Sequence, residues 1–238
     1  MTSEVFEGGV CTTQSNSHST KQVNPQKVSA ILEGLEIIKQ EKSKYLTSCI
    51  AFSEKENQHY KLDIITQTDW KLNPMLPRFS RLAKLNHEHL MSMKGVKIIT
   101  EGSSSSNEKE TAYILSEYSV FEDLESLFET ESFDFEDEKL VRTCFRQIIE
   151  GLSYLHNRGI YHLNLSLKNL ILSEDYTIKI GGLEKSYFPG DNDIFVSTNY
   201  NYWAPEIFHK ETSGSLSPLD IYSAGICLFM LRCGFFPY

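Results

Sequence analysis

Polar side chains that could bind anions or move protons are concentrated in three short segments of this sequence. Lys61 and Asp63 lie two residues apart, so a β-strand would place them on the same face. The segments 162–169 and 181–184 follow a long apolar pattern. A lysine can hold an anion, but the amide of an asparagine such as Asn164 cannot take up a proton near neutral pH. These residue types can therefore bind a ligand, but they are poorly suited to proton transfer.

The five cysteines do not form a metal-binding pattern. None of them pairs as CxxC and no group of histidines lies beside them, so we expect no zinc site and no other metal centre. The N-terminal residues contain no apolar signal core, so we expect a reducing, cytoplasmic setting with free thiols. The cysteines are Cys11, Cys49, Cys144, Cys227 and Cys233.

The formal net charge of −9 argues against nucleic acid and anionic membranes as partners, because both attract basic surfaces. The longest apolar stretch, 226–236, is interrupted by Arg232 and Gly234. It is shorter than the roughly 20 residues that a membrane-spanning helix needs. We therefore expect no nucleic acid and no membrane among the partners.

Short apolar runs separated by polar turns predict that the first half is rich in strands. Residues 1–28 show no period and are rich in Ser, Thr, Asn and Gln, which predicts a disordered tail. The spacing of Phe79, Leu82 and Leu85 predicts a short amphipathic helix over Arg78–Leu85. The predicted strands are Leu35–Ile38, Thr47–Phe52, His59–Thr66, Lys97–Thr100 and Ala112–Tyr118.

The second half has a helical pattern. Seven apolar residues fall on one face of a long helix, and Gly159 follows at a typical stop position. The runs Asn169–Leu172 and Thr177–Ile180 predict a small hairpin, and the last helix begins near Pro218. The predicted face of the long helix consists of Leu140, Cys144, Phe145, Ile148, Ile149, Leu152 and Leu155.

Four motifs in this half occur in the order and at the spacing of eukaryotic protein kinases. The segment GLSYLHNRGIYHLNLSLKNLILSEDYTIKI resembles their catalytic-loop region, and WAPE at Trp203–Glu206 resembles their APE motif. DIYSAG at Asp220–Gly225 and GFFPY at Gly234–Tyr238 are similar to the two motifs that follow. The resemblance implies an α+β, two-lobed protein-kinase-like fold. Its small antiparallel β-rich N-lobe would occupy 29–118 and its helical C-lobe 119–238.

In this family, phosphoryl transfer needs positioned phosphates, metal ions and a carboxylate that orients the attacking hydroxyl. The three glycine positions of the phosphate-covering loop fall on Glu41, Ser43 and Leu46, none of which is glycine. Asp63 takes the place of the phosphate-binding lysine. Lys61 takes the place of the small residue that packs on adenine. An alternative is that Lys61 serves as a displaced phosphate ligand.

Arg78 falls at the position of the helix glutamate that pairs with the missing lysine. The usual bridge would therefore appear as Asp63–Arg78, with both charges exchanged. Such a bridge would tie helix to sheet but could not hold a phosphate. The alternative is that the two residues are unrelated surface charges.

The predicted C-lobe site is changed in the same way. Asn164 replaces the catalytic aspartate and Ser166 replaces the loop lysine. Asn169, at the position of the second metal ligand, is retained, although it is also a residue typical of turns. Gly182 replaces the metal-binding aspartate of the DFG motif, and Glu184 comes two residues late.

These changes predict a pseudokinase that acts as a protein-binding scaffold or allosteric regulator, with no catalytic residue, no phosphoryl transfer and no cofactor. The alternative is a divergent active serine/threonine kinase that binds ATP and uses Lys61, Glu184 or the tail for the lost roles. Whether the chain is an enzyme stays open, and the residues favour the first interpretation. A third possibility is a pseudokinase domain of a larger protein.

The last helix is apolar nearly all round, which is typical of a core helix. Kinase-like C-lobes continue with further helices, so we expect this C-lobe to lack its last ones. Either the natural chain runs on past Tyr238 or a partner covers this face. The acidic stretch 121–138 could bind a basic partner or form a solvated helix face. The expected partners are therefore other proteins, bound by the last helix or the acidic surface.

Overall fold

The structure is a computed structural model that describes ten stretches of the chain. The predicted tail, residues 1–28, lies outside them, and so does Ser43. The described part forms two compact units. The first contains the described residues up to Leu85 together with Ser92–Tyr118, and the second contains Asn86–Met91 and the described residues from Ser119 onward. The described residues are 34–42, 46–67, 76–101, 109–121, 123–130, 134, 136–173, 175–191, 199–209 and 215–238.

The first unit is built on a five-stranded antiparallel sheet with one short helix. The strand order across the sheet is β1-β2-β3-β5-β4, so the last two strands form a hairpin that adds to β3. The elements are β1 (Leu35–Lys42), β2 (Leu46–Ser53), β3 (Gln58–Gln67), α1 (Leu76–Leu82), β4 (Met93–Glu101) and β5 (Lys109–Glu117).

The central strand β3 alternates between core and surface. Tyr60, Leu62 and Ile64 are buried in the core of the sheet, where Leu62 pairs with a residue of β2 and one of β5. The residues between them, Lys61 and Asp63, point to the opposite face and are partly or fully exposed. This period of two confirms that Lys61 and Asp63 share a face.

Helix α1 ends earlier than the apolar spacing predicts. Phe79 and Leu82 are buried, as expected for the apolar face of an amphipathic helix. The chain then leaves the helix through tight backbone hydrogen bonds, from Lys84 to Arg81 and from Leu85 to Leu82. Leu85 is only partly buried, so the buried face of the helix is shorter than predicted.

The second unit is mainly helical and carries a two-stranded hairpin. The β6–β7 hairpin is antiparallel, as predicted. The α+β fold class is therefore confirmed. The elements are α2 (Leu124–Glu129), α3 (Glu138–His156), β6 (Leu170–Leu172), β7 (Ile178–Ile180), α4 (Pro205–His209) and α5 (Ser217–Cys233).

The long helix α3 begins at a side-chain cap and buries one stripe. The carboxylate of Asp137 accepts hydrogen bonds from the backbone of the first turn, which satisfies N–H groups that have no partner within the helix. Leu140, predicted on the buried face, is 37% exposed, and Val141 is buried in its place. The stripe continues through Cys144, Ile148, Leu152 and Leu155, and Leu140 lies beyond its edge.

Helix α5 packs against α3 but keeps apolar side chains outside the contact. Leu219, Ala224 and Cys227 are buried, whereas Ile221 is 51% exposed. The helix ends at Gly234, which has a φ of +76° and bonds back to the last turn. Among the described helices, none combines the length and apolar character that a bilayer span requires.

Candidate functional site

The loop that follows α3 is held by one buried carboxylate. Asp220 of α5 is fully buried and accepts hydrogen bonds from the backbone N–H groups of His162 (2.8 Å) and Leu163 (2.7 Å). His156, at the end of α3, lies 2.8 Å from the same carboxylate through Nε2. The carboxylate thus receives three hydrogen bonds in place of the water it has lost.

The ring of His162 orders the same loop from within. Its Nδ1 accepts the backbone N–H of Asn164 at 3.2 Å, and its Nε2 faces the carbonyl oxygen of Gly181 at 2.7 Å. This pairing assigns the hydrogen to Nε2. The ring is fully buried and links the loop to the residues that follow β7.

The anchored loop contains a residue in an unusual backbone conformation. Leu163 has a φ of +55°, a region that costs residues other than glycine about 1–2 kcal/mol. The hydrogen bond from its N–H to Asp220 holds it there. The conformation brings the backbone of Asn164 towards Asn169, whose side-chain Nδ2 donates to the Asn164 carbonyl oxygen at 2.6 Å.

Asn169 and Gly182, at the two positions where the family has metal ligands, lie against each other. Gly182 has a φ of +71°, and a Cβ built on it would lie 2.7 Å from Oδ1 and 2.8 Å from Cγ of Asn169. A side chain at position 182 therefore needs space that the Asn169 amide occupies. Asn169 is also fixed through its backbone, because its carbonyl oxygen accepts the N–H of Gly181 at 2.8 Å.

The remaining predicted residues of this loop have structural surroundings. Ser166 is buried, and Glu184 is exposed in a short 3-10 turn. Burial raises the pKa of Tyr202, and its hydroxyl oxygen accepts a hydrogen bond from the backbone N–H of Leu167 at 3.4 Å. Tyr202 therefore connects the WAPE segment to the loop. Among the described residues, no group of three or more His, Cys, Asp or Glu side chains is arranged to hold a metal ion.

In the first unit, Lys61 and Asp63 contact each other. The Nζ of Lys61 lies 3.1 Å from Oδ2 of Asp63, and the hydroxyl of Ser48 donates to Oδ1. The Lys61 side chain is about half exposed, so this pair belongs to the surface class that contributes roughly 0–1 kcal/mol. A carboxylate at this distance neutralises the one cation that the sequence offered as a displaced phosphate ligand.

The predicted partner of Asp63 is buried. Arg78, on α1, is 8% exposed, which a long cationic side chain reaches only when its polar atoms are engaged. Asp63 contacts Lys61 and Ser48. The reversed Asp63–Arg78 bridge stays a prediction.

Two of the three positions of the predicted phosphate-covering loop, Glu41 and Leu46, are described, and both are exposed. Glu41 lies in β1, and a hydrogen bond and the charge of Lys39, whose Nζ is 2.8 Å away, lower the pKa of its carboxyl group. A carboxylate kept ionised in this way would repel phosphate. Leu46, the first residue of β2, is 38% exposed.

Two contacts at the site were not predicted from the sequence. His156 gives no signal of its own, because a histidine in the last turn of a helix is common near the negative end of the helix dipole. The packing of Asn169 on Gly182 joins residues on either side of the β6–β7 hairpin, and only the folded hairpin brings them together.

Comparisons with known proteins agree with the motif order. The family model described as "Protein kinase domain" matches residues 77–238. The chain is 37% identical over 107 residues to CBL-interacting protein kinase 17 of Oryza sativa subsp. japonica, which covers 42% of this chain and 23% of that protein. It is 34% identical over 105 residues to CBL-interacting serine/threonine-protein kinase 8 of Arabidopsis thaliana, with coverages of 42% and 23%.

A further rice relative, CBL-interacting protein kinase 3, is 34% identical over 136 residues, which is 55% of this chain and 30% of that protein. The chain thus spans less than a third of the length of these curated relatives.

Proposed function

Since this chain belongs to the protein kinase family, we propose that it is a pseudokinase, a kinase fold that binds other proteins and transfers no phosphate. The observation that carries the proposal is the contact between Gly182 and Asn169. In the family pattern these two positions supply ligands to magnesium, and here the Asn169 amide fills the space of the missing side chain. This packing supports the proposal that the residues present do not hold an ATP–magnesium complex.

Two other features support this proposal. Asn164, in place of the catalytic aspartate, can accept a hydrogen bond from a substrate hydroxyl but cannot take its proton. Lys61, the nearest cation to the missing lysine, is paired with Asp63 at 3.1 Å. Each change alone would weaken catalysis. Together they remove the carboxylate that takes the proton, the aspartate that binds the metal and the lysine that binds the phosphates.

We propose that the protein is cytoplasmic. Cys144, Cys227 and Cys233 are free thiols, which suits a reducing compartment. The partners would be other proteins, because the negative net charge disfavours nucleic acid and anionic lipid.

The proposal is tested by thermal unfolding of the full chain with ATP and magnesium. We expect no change in melting temperature, because a ligand at 100 times its dissociation constant would stabilise the chain by about 2.7 kcal/mol. An active kinase domain measured beside it shows that the assay detects binding. A magnesium-dependent shift would contradict the proposal.

The second candidate is a divergent active serine/threonine kinase, favoured by relatives whose names describe kinases. The same experiment separates the two, because this candidate requires ATP binding. The variant Lys61→Met then identifies the ligand. It should abolish an ATP-dependent shift if Lys61 holds the phosphates, and it should change nothing if the chain is a pseudokinase.

A further inference from the structure

Two exposed aromatic rings, those of Phe121 and Tyr176, contact each other beside the β6–β7 hairpin, and we call them the aromatic pair. Their ring centroids are 5.7 Å apart, and the two planes are inclined by 33°. Tyr176 is 74% exposed and Phe121 is 37% exposed. Water therefore reaches both rings, and neither ring belongs to the core of the second unit.

Contacts with the hairpin hold Phe121 in place. The hydroxyl of Ser119 donates to the carbonyl oxygen of Leu172 at 2.5 Å and accepts the backbone N–H of Phe121 at 3.2 Å. Asp123 forms an isolated antiparallel bridge with Ile171. The segment that carries Phe121 therefore runs along β6, and its ring meets the residue in the hairpin turn.

Tyr176 has a backbone conformation that suits other residue types better. Its φ is +61°, in the left-handed region that glycine and asparagine adopt more readily. Of the other described non-glycine residues with a positive φ, Asn57 is of a suitable type and Leu163 is held by Asp220. The Tyr176 ring lies largely in water, so core packing does not account for a tyrosine here. Backbone strain that burial does not explain is typical of functional sites.

A carboxylate directly precedes Tyr176. The hydroxyls of Ser173 and Thr177 donate to Asp175 and lower the pKa of its carboxyl group to about 2. Asp175 is therefore ionised near neutral pH. Its partners are neutral, and within the described ranges it forms no ion pair. The negative charge beside the Tyr176 ring is thus available to a cation.

A second carboxylate follows Phe121 by two residues. Asp123 caps α2 by accepting the backbone N–H and the hydroxyl of Ser126, and both of these donors are neutral. The cation Lys168 contacts Glu125, at 3.9 Å. Residues 119–138 contain nine acidic residues and no basic one. The charge around the aromatic pair is therefore complementary to a basic ligand.

We propose that the aromatic pair binds an arginine side chain in a basic segment of a partner protein. A guanidinium is planar, so it can stack on an exposed ring while its N–H groups donate to carboxylates. The two rings contact each other, so the guanidinium lies over the outer face of Tyr176 and not between the rings. This inference rests on the proposed function, because it names the class of partner that the pseudokinase binds.

The test uses a fluorescein-labelled peptide of about 12 residues, roughly 40 Å when extended, in which Arg alternates with Gly and Ser. A matched peptide carries citrulline in place of each Arg, which keeps the shape and removes the charge. Anisotropy titrations with the full chain at about 0.1 M salt should give at least about tenfold tighter binding of the Arg peptide. Equal affinities, or no binding of the Arg peptide, would overturn the proposal.

The variant Tyr176→Asn removes one ring and introduces a residue that suits a positive φ. We expect about a fivefold or greater loss of affinity for the Arg peptide and a melting temperature that is unchanged or higher. The control Tyr200→Asn removes an exposed tyrosine elsewhere in the second unit and should leave the affinity unchanged. Unchanged affinity of the Tyr176→Asn variant would overturn the proposal.

The role of the carboxylate is tested by Asp175→Asn, which keeps an oxygen that can accept from the two hydroxyls. Its control is Glu129→Gln, at an exposed position of α2, because both variants change the net charge by the same amount. We expect about a threefold or greater loss of affinity for the Arg peptide with Asp175→Asn and a smaller loss with Glu129→Gln. Equal losses would show that the peptide responds to the overall charge and would overturn the site.

A second copy of this chain is the alternative occupant. A dimer in light scattering that Tyr176→Asn dissociates would identify it and overturn the proposal. Because the titrations contain no nucleotide, they fail or succeed independently of the ATP experiment. A magnesium-dependent ATP shift with intact Arg-specific binding would remove the pseudokinase and keep the site. No ATP shift and no peptide binding would keep the pseudokinase and remove the site.

Discussion

Gly182 and Gly190 both have positive φ values, of +71° and +89°, but their surroundings differ. Alanine at either position costs about 1–2 kcal/mol for the left-handed backbone. At Gly182 the new Cβ must also displace the Asn169 amide and its hydrogen bond to Asn164, which adds about 1 kcal/mol. We therefore expect Gly182→Ala to lower the free energy of unfolding more than Gly190→Ala.

Urea denaturation of the two variants measures this difference, and Gly190→Ala is the control because no atom lies within 4 Å of its built Cβ. Equal losses would mean that Asn169 moves aside without cost. The site could then readmit an aspartate at position 182, which would weaken the main support for the pseudokinase proposal.

At the residue scale, the sequence predicted which positions are changed but not what contacts them. A match to family motifs assigns Asn164, Asn169 and Gly182 to their positions, because the motifs fix the spacing along the chain. It cannot show that Lys61 binds Asp63 or that His156 binds Asp220, since these contacts depend on side-chain directions and on residues 64 positions apart in the second case.

At the element scale, two helical glycines predict opposite effects of the same substitution. Gly225→Ala in α5 should stabilise the protein by about 1 kcal/mol, because alanine favours the helix and the new methyl group meets no atom. Gly151→Ala in α3 should destabilise it by about 1–3 kcal/mol. Its Cβ would lie 2.8 Å from Cδ1 of Ile180 and 2.9 Å from the carbonyl oxygen of His89.

Thermal unfolding of the two variants tests this pair, and each serves as the control for the other, because both remove the same backbone freedom. A stabilised Gly151→Ala variant would show that β7 and the segment containing His89 yield to a methyl group, contrary to the packing described above. A destabilised Gly225→Ala variant would indicate that the open space above α5 is filled in solution.

Apolar periodicity predicted the existence and type of the described elements better than it predicted their ends. Strand β1 extends to Lys42, although the apolar pattern ends at Ile38, because backbone pairing with β2 continues past the buried residues. Strand β4 begins at Met93 for the same reason. Pattern reading follows burial, whereas a strand ends where its hydrogen bonds end.

At the scale of the whole molecule, the net charge of −9 predicts how the chain meets anionic surfaces. We expect no co-sedimentation with vesicles that contain phosphatidylserine at about 0.1 M salt. Vesicles of phosphatidylcholine alone are the control. Binding to the anionic vesicles that higher salt removes would show that a local basic surface outweighs the net charge.

The order of the motifs predicted the protein kinase family for the whole molecule, and the comparisons confirmed it over residues 77–238. The sequence indicated the open apolar surface between α3 and α5 only through the apolar character of α5. This surface depends on how the two helices pair, which no local pattern encodes.

The hydrogen bonds between the loop and Asp220 also constrain when the loop can fold during synthesis. Asp220 follows Leu163 by 57 residues, and a ribosome adding roughly 5–20 residues per second takes about 3–11 s to cover that distance. During this interval the loop amides have left the peptidyl-transferase centre without their acceptor, and Leu163 has nothing to hold its left-handed backbone. We therefore expect the loop to reach its final conformation only after α5 has been made. A nascent chain stalled before Asp220 would lack the ordered loop.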